Sequence, residues 1–218
     1  IIAVLEYGKY SRLSSTLDDA AGETFDKAAK ILDIGFPGGP MIEKMAMSGD
    51  PKSYQLPRPM YKSKNPNFSF SGLKTAFNQT VLKNTLTKNN ISNLSASIQK
   101  AISDCLVDRT RVALDQFKMM INKNSNVQLV VAGGVASNKY IRNELEKLAF
   151  ISNTKFHAPP INLCTDNGAM IAWAGYEKYV YEGKTNLNFK PRPRWPLDPD
   201  AHHKNPIHNK IGKSGVKA

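Results

Sequence analysis

The amino-acid sequence predicts a mixed fold of strands and helices, either α/β or α+β. Short apolar runs typical of strands alternate with longer stretches in which apolar residues recur at helical spacing. The chain has 218 residues, of which 41% are hydrophobic and 22% charged, as is usual for a globular protein. A chain of this length can bury roughly two-thirds of its unfolded surface, so it needs no disulfide framework. Cys105 and Cys164 have no CxxC partner, which favours a reducing, cytoplasmic compartment.

The strands and helices can be placed from their local patterns. Strands are predicted at 1–4, at 127–132 (VQLVVA) and at 151–158. Ser14 to Asp18 are interpreted as the N-cap and first turn of a helix that continues through 20–32, with Ala21, Phe25, Ala28 and Leu32 on one apolar face. Further helices are predicted at 41–47, 73–88, 92–121 and 169–181, and after Asn138 with Ile141, Leu145 and Leu148 on one face. Residues 186–218 have no periodic apolar face and are predicted to form an extended basic tail.

The positive charge is unevenly distributed along the chain. The net charge is +12, and residues 51–100 contain eight basic residues and no Asp or Glu. Such a region favours a polyanionic partner such as nucleic acid, although a lysine-rich and asparagine-rich composition explains it equally well. No run of about 18 apolar residues occurs, so no membrane partner is expected.

A glycine-rich turn follows the strand predicted at 127–132. In Gly133-Gly134-Val135-Ala136-Ser137-Asn138 the two glycines would let a ligand approach the backbone, and the next helix would offer free N–H groups to an anion. Asn138 can both donate and accept hydrogen bonds. The turn has neither a GxGxxG pattern nor the lysine of a P-loop, so a purely structural strand-to-helix turn remains open.

Acidic residues form two further candidate sites. Asp18 and Asp19 are interpreted as acids that complement the dipole of the helix at 20–32, an explanation that does not fit Asp26, two turns further on. Gly38-Gly39 offers bare backbone, and Glu43 follows one turn later. Asp166, in the loop Cys164-Thr165-Asp166-Asn167-Gly168, is suited either to cap the following helix or to bind a metal, for which one ligand is too few.

Taken together, these segments resemble a known family. The landmarks, in order, are TLDDAAGETFDKAAKIL (16–32), FPGGP (36–40), LPRP (56–59), FSFSGLKTA (68–76), VVAGGVASN (130–138), CTDNGAMIAWAG (164–175) and PRPRWPLD (191–198). They are similar to the bacterial or organellar branch of the tRNA threonylcarbamoyladenosine synthase family, once described as O-sialoglycoprotein endopeptidases. The resemblance covers about residues 1–196 and corresponds to an N-terminally truncated member.

The resemblance implies a fold and an activity. The fold would be that of the actin-like ATPases (ASKHA), with 1–163 in the second lobe, 164–185 as a helix that returns to a largely absent first lobe, and 186–218 as the tail. Apolar surface is therefore expected to be exposed on 164–185. The enzyme would be an acyltransferase that moves threonylcarbamoyl from threonylcarbamoyl-AMP to the adenosine beside the anticodon in tRNAs reading codons that begin with A.

By motif position, the resemblance also implies site residues and partners. Asp26, Gly39, Glu43 and Asn138 would contact the nucleotide, with Asp26 and Glu43 on ribose hydroxyls. Asp166 would be one ligand of a divalent metal ion, iron or zinc, in the complete enzyme. The partners would be tRNA together with a paralogous TsaB-type subunit and a TsaE-type ATPase in a bacterial protein, or a second copy in a mitochondrial-matrix homodimer.

Other functions remain open at this point. A shortened homologue that binds tRNA or partner subunits without catalysis is the main alternative. A sugar kinase or ATPase of the actin-like class is less favoured, because its catalytic Asp and first phosphate loop would lie in the largely absent first lobe. A peptidase has no support, since no HExxH motif or catalytic triad can be assembled from these residues. No catalytic residue can be assigned from the sequence.

Overall fold

The computed structural model describes residues 1–122, 125–184, 188, 190–193 and 195–204. Two small sheets lie among the helices of these residues, which confirms the mixed α/β prediction. Strands β1 (Ile2–Glu6) and β2 (Lys9–Arg12) pair antiparallel, with Ile2 opposite Arg12. Strands β3 (Gln128–Val130) and β4 (Lys155–His157) pair parallel. The sequence prediction missed β2, because KYSR has no apolar run.

The helices follow the predicted order, with shifted boundaries. They are α1 (Ala21–Leu32), α2 (Gly38–Ala46), α3 (Ser71–Leu82), α4 (Lys88–Met120), α5 (Lys139–Ile151), α6 (Gly168–Glu182) and the short α7 (Ala201–Lys204). The prediction placed the start of α2 at Met41, but the helix begins three residues earlier, at Gly38. Pro40 is tolerated there because the N–H groups of a first helical turn have no partner within the helix. None of the described helices is long and apolar enough to cross a membrane.

The core is built around α4. The predicted apolar face of α1 is confirmed, since Phe25 and Leu32 are each only 2% exposed. The predicted face of α5 is buried as well, at Ile141, Leu145 and Leu148. These two faces belong to one cluster with the buried residues of α3 and α4, which include Leu73, Phe77, Leu94, Ile98 and Ile102. Helices α1, α2 and α5 thus share one core with the long helix.

Helices α1 and α2 pack so closely that one position between them must be glycine. A Cβ added to Gly38 would lie 2.5 Å from the Cα atom of Asp26 and 2.5 Å from the carbonyl oxygen of Phe25. Both of these are backbone atoms, which cannot rotate away as a side chain can. The next residue, Gly39, has no heavy atom within 4 Å of such a Cβ. Gly38 is therefore enclosed by the backbone of α1, whereas Gly39 faces open space.

Asp18 caps a different helix from the one expected. The N-cap of α1 is Ala20, so the interpretation of Ser14 to Asp18 as its cap is wrong. The carboxylate of Asp18 instead accepts hydrogen bonds from the backbone N–H groups of Phe70 (2.7 Å) and Ser71 (3.2 Å) and from the hydroxyls of Ser69 (2.6 Å) and Ser71 (2.9 Å). It therefore holds the N-terminus of α3 against the segment before α1.

Two surfaces remain open among the described residues. Helix α6 has no buried residue, and its Ile171 and Trp173 are 67% and 65% exposed, which confirms the apolar surface expected on 164–185. A cavity of ≈ 650 Å³ separates β1 from β3, and apolar side chains of α4 also line it. Within the described part of the chain, β1 pairs only with β2, and β3 only with β4. Each of these strands therefore keeps one unpaired edge.

The tail predicted over 186–218 lies partly outside the described residues. Where it is described, it is not extended throughout, because Ala201–Lys204 forms α7. The carboxylate of Asp198 accepts a hydrogen bond from the backbone N–H of Arg12 (2.8 Å), and the Arg12 guanidinium donates to the carbonyl of Ala201 (3.0 Å). These contacts fold this part of the tail against the end of β2.

Removing the Asp18 carboxylate should destabilise the protein. Asp18→Ala leaves the start of α3 without its acceptor, so we expect the free energy of unfolding at pH 7 to fall by about 1–2 kcal/mol in urea titrations. Burial raises the pKa of Asp18, but the hydrogen bonds from Phe70, Ser69 and Ser71 outweigh it and hold the pKa below its usual value. The stabilisation is therefore present above the unfolded-state pKa and is lost as pH falls through the lower folded-state pKa.

The matched control for this prediction is Asp115→Ala. The Asp115 side chain is 62% exposed and makes a single ion pair at 3.4 Å, so its loss should change stability by less than about 1 kcal/mol. Equal effects of the two substitutions, or an Asp18 effect that persists unchanged at low pH, would contradict the capping role.

The two adjacent glycines give a second test of the packing. Gly38→Ala should lower the free energy of unfolding by about 1–3 kcal/mol, because α1 and α2 must move apart to admit the methyl group. Gly39→Ala, which points into open space, should leave stability unchanged or slightly higher. Thermal melts of the two variants decide the point, and similar melting temperatures would show that α1 and α2 are not in close contact.

Candidate functional site

Two carboxylates hold the starts of two neighbouring helices. Asp26 of α1 accepts a hydrogen bond from the backbone N–H of Gly38 at 2.7 Å. Glu43 of α2 accepts one from the backbone N–H of Lys139 at 2.7 Å. Each carboxylate therefore satisfies a free N–H group and complements the positive end of a helix dipole. This gives Asp26 a structural role that the pattern of α1 does not reveal.

Bare backbone lies beside these carboxylates. Gly39, in the first turn of α2, and Gly133 and Gly134, after β3, have no heavy atom within 4 Å of an added Cβ. Gly133 also requires glycine because its φ is +88°. The turn lies against α1, since a Cβ on Gly22 would be 3.6 Å from a methyl group of Val135. The open backbone that the sequence predicted is therefore present at Gly39 and at Gly133-Gly134. It is absent at Gly38, which was also predicted to be bare and is closed off by the backbone of α1.

Asn138 is placed differently from the other candidates. It is only 6% exposed, and its side-chain oxygen accepts a hydrogen bond from the backbone N–H of Ile141 at 3.0 Å, as the N-cap of α5. Its amide nitrogen donates to Gln99 of α4 at 2.8 Å. The side chain therefore fixes the end of the turn and the start of α5 against α4, and it does not reach the open surface.

Arg142 binds the backbone of the same turn, a role that was not predicted from the sequence. Its guanidinium donates two hydrogen bonds to the carbonyl of Ala136 (3.0 and 2.8 Å), one to the carbonyl of Pro159 (2.9 Å) and one to the sulfur of Cys164 (3.3 Å). Arg142 thus joins the glycine turn to the loop that precedes α6. A charged residue one position after a buried apolar one on α5 is the only sequence signal for this role.

Asp166 lies apart from these residues. It is exposed, and the N-cap of α6 is Asn167, whose oxygen accepts from the backbone N–H of Met170 at 3.0 Å. The interpretation of Asp166 as that cap is therefore wrong. In the described ranges, no group of three His, Cys, Asp or Glu side chains is close enough to hold a metal ion. Asp166 by itself does not form a metal site.

A cleft opens between α2, α4 and the start of α5. Its volume is ≈ 600 Å³, and its lining residues include Glu43, Gln99, Lys139 and Tyr140. Burial raises the pKa of Tyr140, and the neighbouring charges of Glu144 and Asp104 add to it against those of Lys100 and Lys147. The phenol therefore stays protonated at neutral pH and can donate a hydrogen bond into the cleft. Of the residues predicted from the sequence, Glu43 lines this cleft, whereas Asp26, Gly39, Asn138 and Asp166 do not. Hydrogen bonds link Asp26 to Gly38, beside Gly39, and Glu43 to Lys139, directly after the 133–138 turn.

The chain is similar to known proteins along its whole length. A family model described as tRNA N6-adenosine threonylcarbamoyltransferase matches residues 1–173. Proteins of that name from Rhodospirillum rubrum, Brucella suis and Zymomonas mobilis are 48%, 46% and 47% identical to the chain. Each alignment covers 100% of this chain but only 59%, 60% and 57% of the relative, respectively. The chain thus spans about three-fifths of the length of these relatives.

These matches confirm the resemblance drawn from the ordered motifs. A partial actin-like ATPase fold is consistent with the mixed α/β architecture and with the fraction of each relative that is covered. The family model matches most of the chain, and the alignments with the relatives cover all of it. The chain therefore belongs to the tRNA N6-adenosine threonylcarbamoyltransferase family.

Proposed function

We propose that this chain forms the nucleotide-facing part of a tRNA N6-adenosine threonylcarbamoyltransferase. The enzyme would transfer threonylcarbamoyl from threonylcarbamoyl-AMP to the exocyclic amine of the adenosine beside the anticodon, in tRNAs that read codons beginning with A. One observation carries the proposal: Asp26 binds the backbone N–H of Gly38, next to the open backbone of Gly39, and Glu43, four residues after Gly39 on α2, binds the start of α5. Membership of the family supports it.

The carboxylates are suited to hold ribose hydroxyls. In each, one oxygen is engaged by a backbone N–H, which fixes the position of the carboxylate. The second oxygen of each accepts no hydrogen bond from the described residues, so it can accept one from a hydroxyl group of the ligand. Because both carboxylates are already positioned in the free protein, binding would cost little side-chain ordering.

The glycine positions are suited to the rest of the nucleotide. At Gly39 and at the 133–134 turn, ligand atoms can approach the backbone where any other residue would place a side chain. Arg142 and Asn138 hold that turn from the protein side. We therefore assign Asn138 a positioning role in the proposed site, because its side chain supports the turn and is not presented to the ligand.

The proposed transfer makes and breaks one bond at the carbamoyl carbon. The adenosine amine attacks that carbon, the bond to the phosphate oxygen of the mixed anhydride breaks, AMP leaves, and the amine loses a proton. The chain's own contribution is to bind and orient the adenylate, which lowers the entropic barrier to attack. A divalent iron or zinc ion would need ligands in addition to Asp166, and the described residues do not supply them.

The proposed partner is tRNA. The acid-free, basic region 51–100 supports this, because lysine and arginine neutralise phosphates and release counterions. Part of this positive charge is balanced within the protein, since Lys74 lies 3.6 Å from Asp19, and Arg58 and Lys100 both pair with Asp104. We extend the proposal to the subunits expected for the family, a TsaB-type paralogue and a TsaE-type ATPase or a second copy, and to a cytoplasmic or mitochondrial-matrix location.

The non-catalytic alternative is not favoured, because the relatives carry the name of the transferase.

Gly39 provides the test of the nucleotide site. In a protein of the relatives' full length, Gly39→Leu should weaken binding of a threonylcarbamoyl-AMP analogue about tenfold or more, because the side chain occupies space that the ligand needs. Calorimetric titration measures the affinity. The matched control is Gly72→Leu, the second residue of α3, where an added Cβ also meets open space.

The two leucine variants should have similar melting temperatures, so that a loss of affinity reports on the ligand. An affinity for the analogue that is unchanged in Gly39→Leu would place the nucleotide elsewhere. Equal weakening in Gly72→Leu would show a general effect on the fold.

Asp166 provides a separate test of the metal assignment. In the full-length protein, Asp166→Ala should reduce bound iron or zinc severalfold and leave the melting temperature of the metal-free protein unchanged, because the side chain is exposed and does not cap α6. Elemental analysis of purified protein measures the metal. Unchanged metal content would remove Asp166 from the ligand set.

A further inference from the structure

Residues 58–65 form a loop with an unusual backbone on either side of an exposed aromatic ring. Met60 and Lys62 have φ values of 63° and 61°, in the left-handed region that non-glycine residues rarely adopt. Between them, Tyr61 is 53% exposed. Two such residues in a three-residue stretch cost free energy, so the surrounding structure must hold the loop in place.

Charged side chains of α4 form hydrogen bonds with the backbone of this loop. Asp108 accepts a hydrogen bond from the backbone N–H of Lys62 at 2.9 Å and pairs with Arg109, whose side chain is 1% exposed. Arg109 also donates to the carbonyl of Ser63 at 2.8 Å and to that of Asn65. A buried ion pair of this kind costs desolvation energy, and here its hydrogen bonds go to loop backbone. The loop shape is therefore determined by α4.

The entrance to the loop is fixed in the same way. Arg58 donates from Nε (3.0 Å) and from a terminal nitrogen (2.9 Å) to Asp104 of α4, which also pairs with Lys100 at 2.9 Å. Tyr61 thus projects from a backbone that is anchored at both ends. The ring of Tyr61 is 53% exposed, so its own packing accounts for little of this anchoring.

A cation and a largely basic groove lie beside the ring of Tyr61. The ammonium of Lys62 lies 5.6 Å from the ring centroid. A groove of ≈ 500 Å³ beside the ring is lined by three basic residues, Arg58, Lys100 and Arg111, and by two acidic ones, Asp104 and Asp108. The carboxylates at this surface are taken up in ion pairs, Asp104 with Arg58 and Lys100, and Asp108 with Arg109 and Arg111. Two cations share each carboxylate, and Lys62 adds another, so positive charge remains in excess beside the exposed ring.

We propose that Tyr61 is a stacking platform for an unpaired base of the RNA substrate, with the groove beside it receiving the adjoining phosphates. Exposed aromatic rings next to a basic groove are the means by which proteins bind single-stranded nucleic acid, because every base has a π-face and every nucleotide a phosphate. The proposal rests on tRNA being the substrate of the proposed transferase. It adds the place on this chain where an unpaired nucleotide is held.

The test uses the full-length protein and two probes. One is an unmodified tRNA that reads codons beginning with A. The other is a short single-stranded RNA that contains 2-aminopurine, whose fluorescence is quenched when the base stacks on an aromatic ring. Tyr61→Ala and Tyr61→Leu should each weaken binding of both probes on the order of tenfold and abolish the quenching caused by the protein. Tyr61→Phe, which keeps the ring, should behave as the unmodified protein does.

A second variant tests the basic border. Lys62→Gly removes one charge and accepts a φ of 61° without strain, so the loop can keep its shape. It should lower the slope of log affinity against log salt by about one, because one phosphate contact is lost. An unchanged slope would remove Lys62 from the RNA contact.

The outcomes separate this proposal from the proposed transferase. If Tyr61→Ala binds both RNAs as the unmodified protein does, the stacking platform is overturned while the transferase stands. Equal loss in Tyr61→Phe and Tyr61→Ala would overturn stacking in favour of a contact by the hydroxyl. If the unmodified protein binds no RNA, both proposals fall, even where the threonylcarbamoyl-AMP analogue still binds.

Discussion

The N–H groups that open each helix need acceptors, and at three helices of this chain a carboxylate from another part of the fold supplies one. Asp18 serves α3, Asp26 serves α2 and Glu43 serves α5. Each hydrogen bond joins two elements and compensates a helix dipole at the same time. The close contact of α1 with α2, and of α2 with the start of α5, depends on this arrangement. The proposed nucleotide site lies where two of these carboxylates meet open backbone.

Local sequence patterns predict the parts of the structure that local physics determines. The apolar spacing of Phe25 and Leu32 places the inner face of α1, and the VQLVVA run places β3, because burial repeats with the period of each element. The glycine turn after β3 is predicted for the same reason. The candidates Asp26, Gly39 and Glu43 emerge once the motifs are taken in order.

The remaining features depend on contacts between distant residues, which a local pattern does not contain. Asp18 reaches Phe70 across 52 positions, so its choice of α3 over its own helix cannot be inferred from neighbours. The amide of Asn138 donates a hydrogen bond to Gln99 of α4, and Arg142 donates to the carbonyl groups of Ala136 and Pro159, which lie on separate segments. The left-handed residues around Tyr61 are set by Asp108 and Arg109, more than 40 positions away.

The unpaired edges of β1 and β3 have a consequence for handling this polypeptide. Strand edges with free N–H and C=O groups can extend into a sheet with any other chain, and charged or bulged edges are the usual protection. Here the two edges border an apolar cavity, and α6 exposes Trp173 and Ile171 on the same molecule. A solution of these 218 residues alone should therefore self-associate as its concentration rises, despite a net charge of +12. A polypeptide segment that fills the cavity and pairs with these strand edges would reduce this self-association.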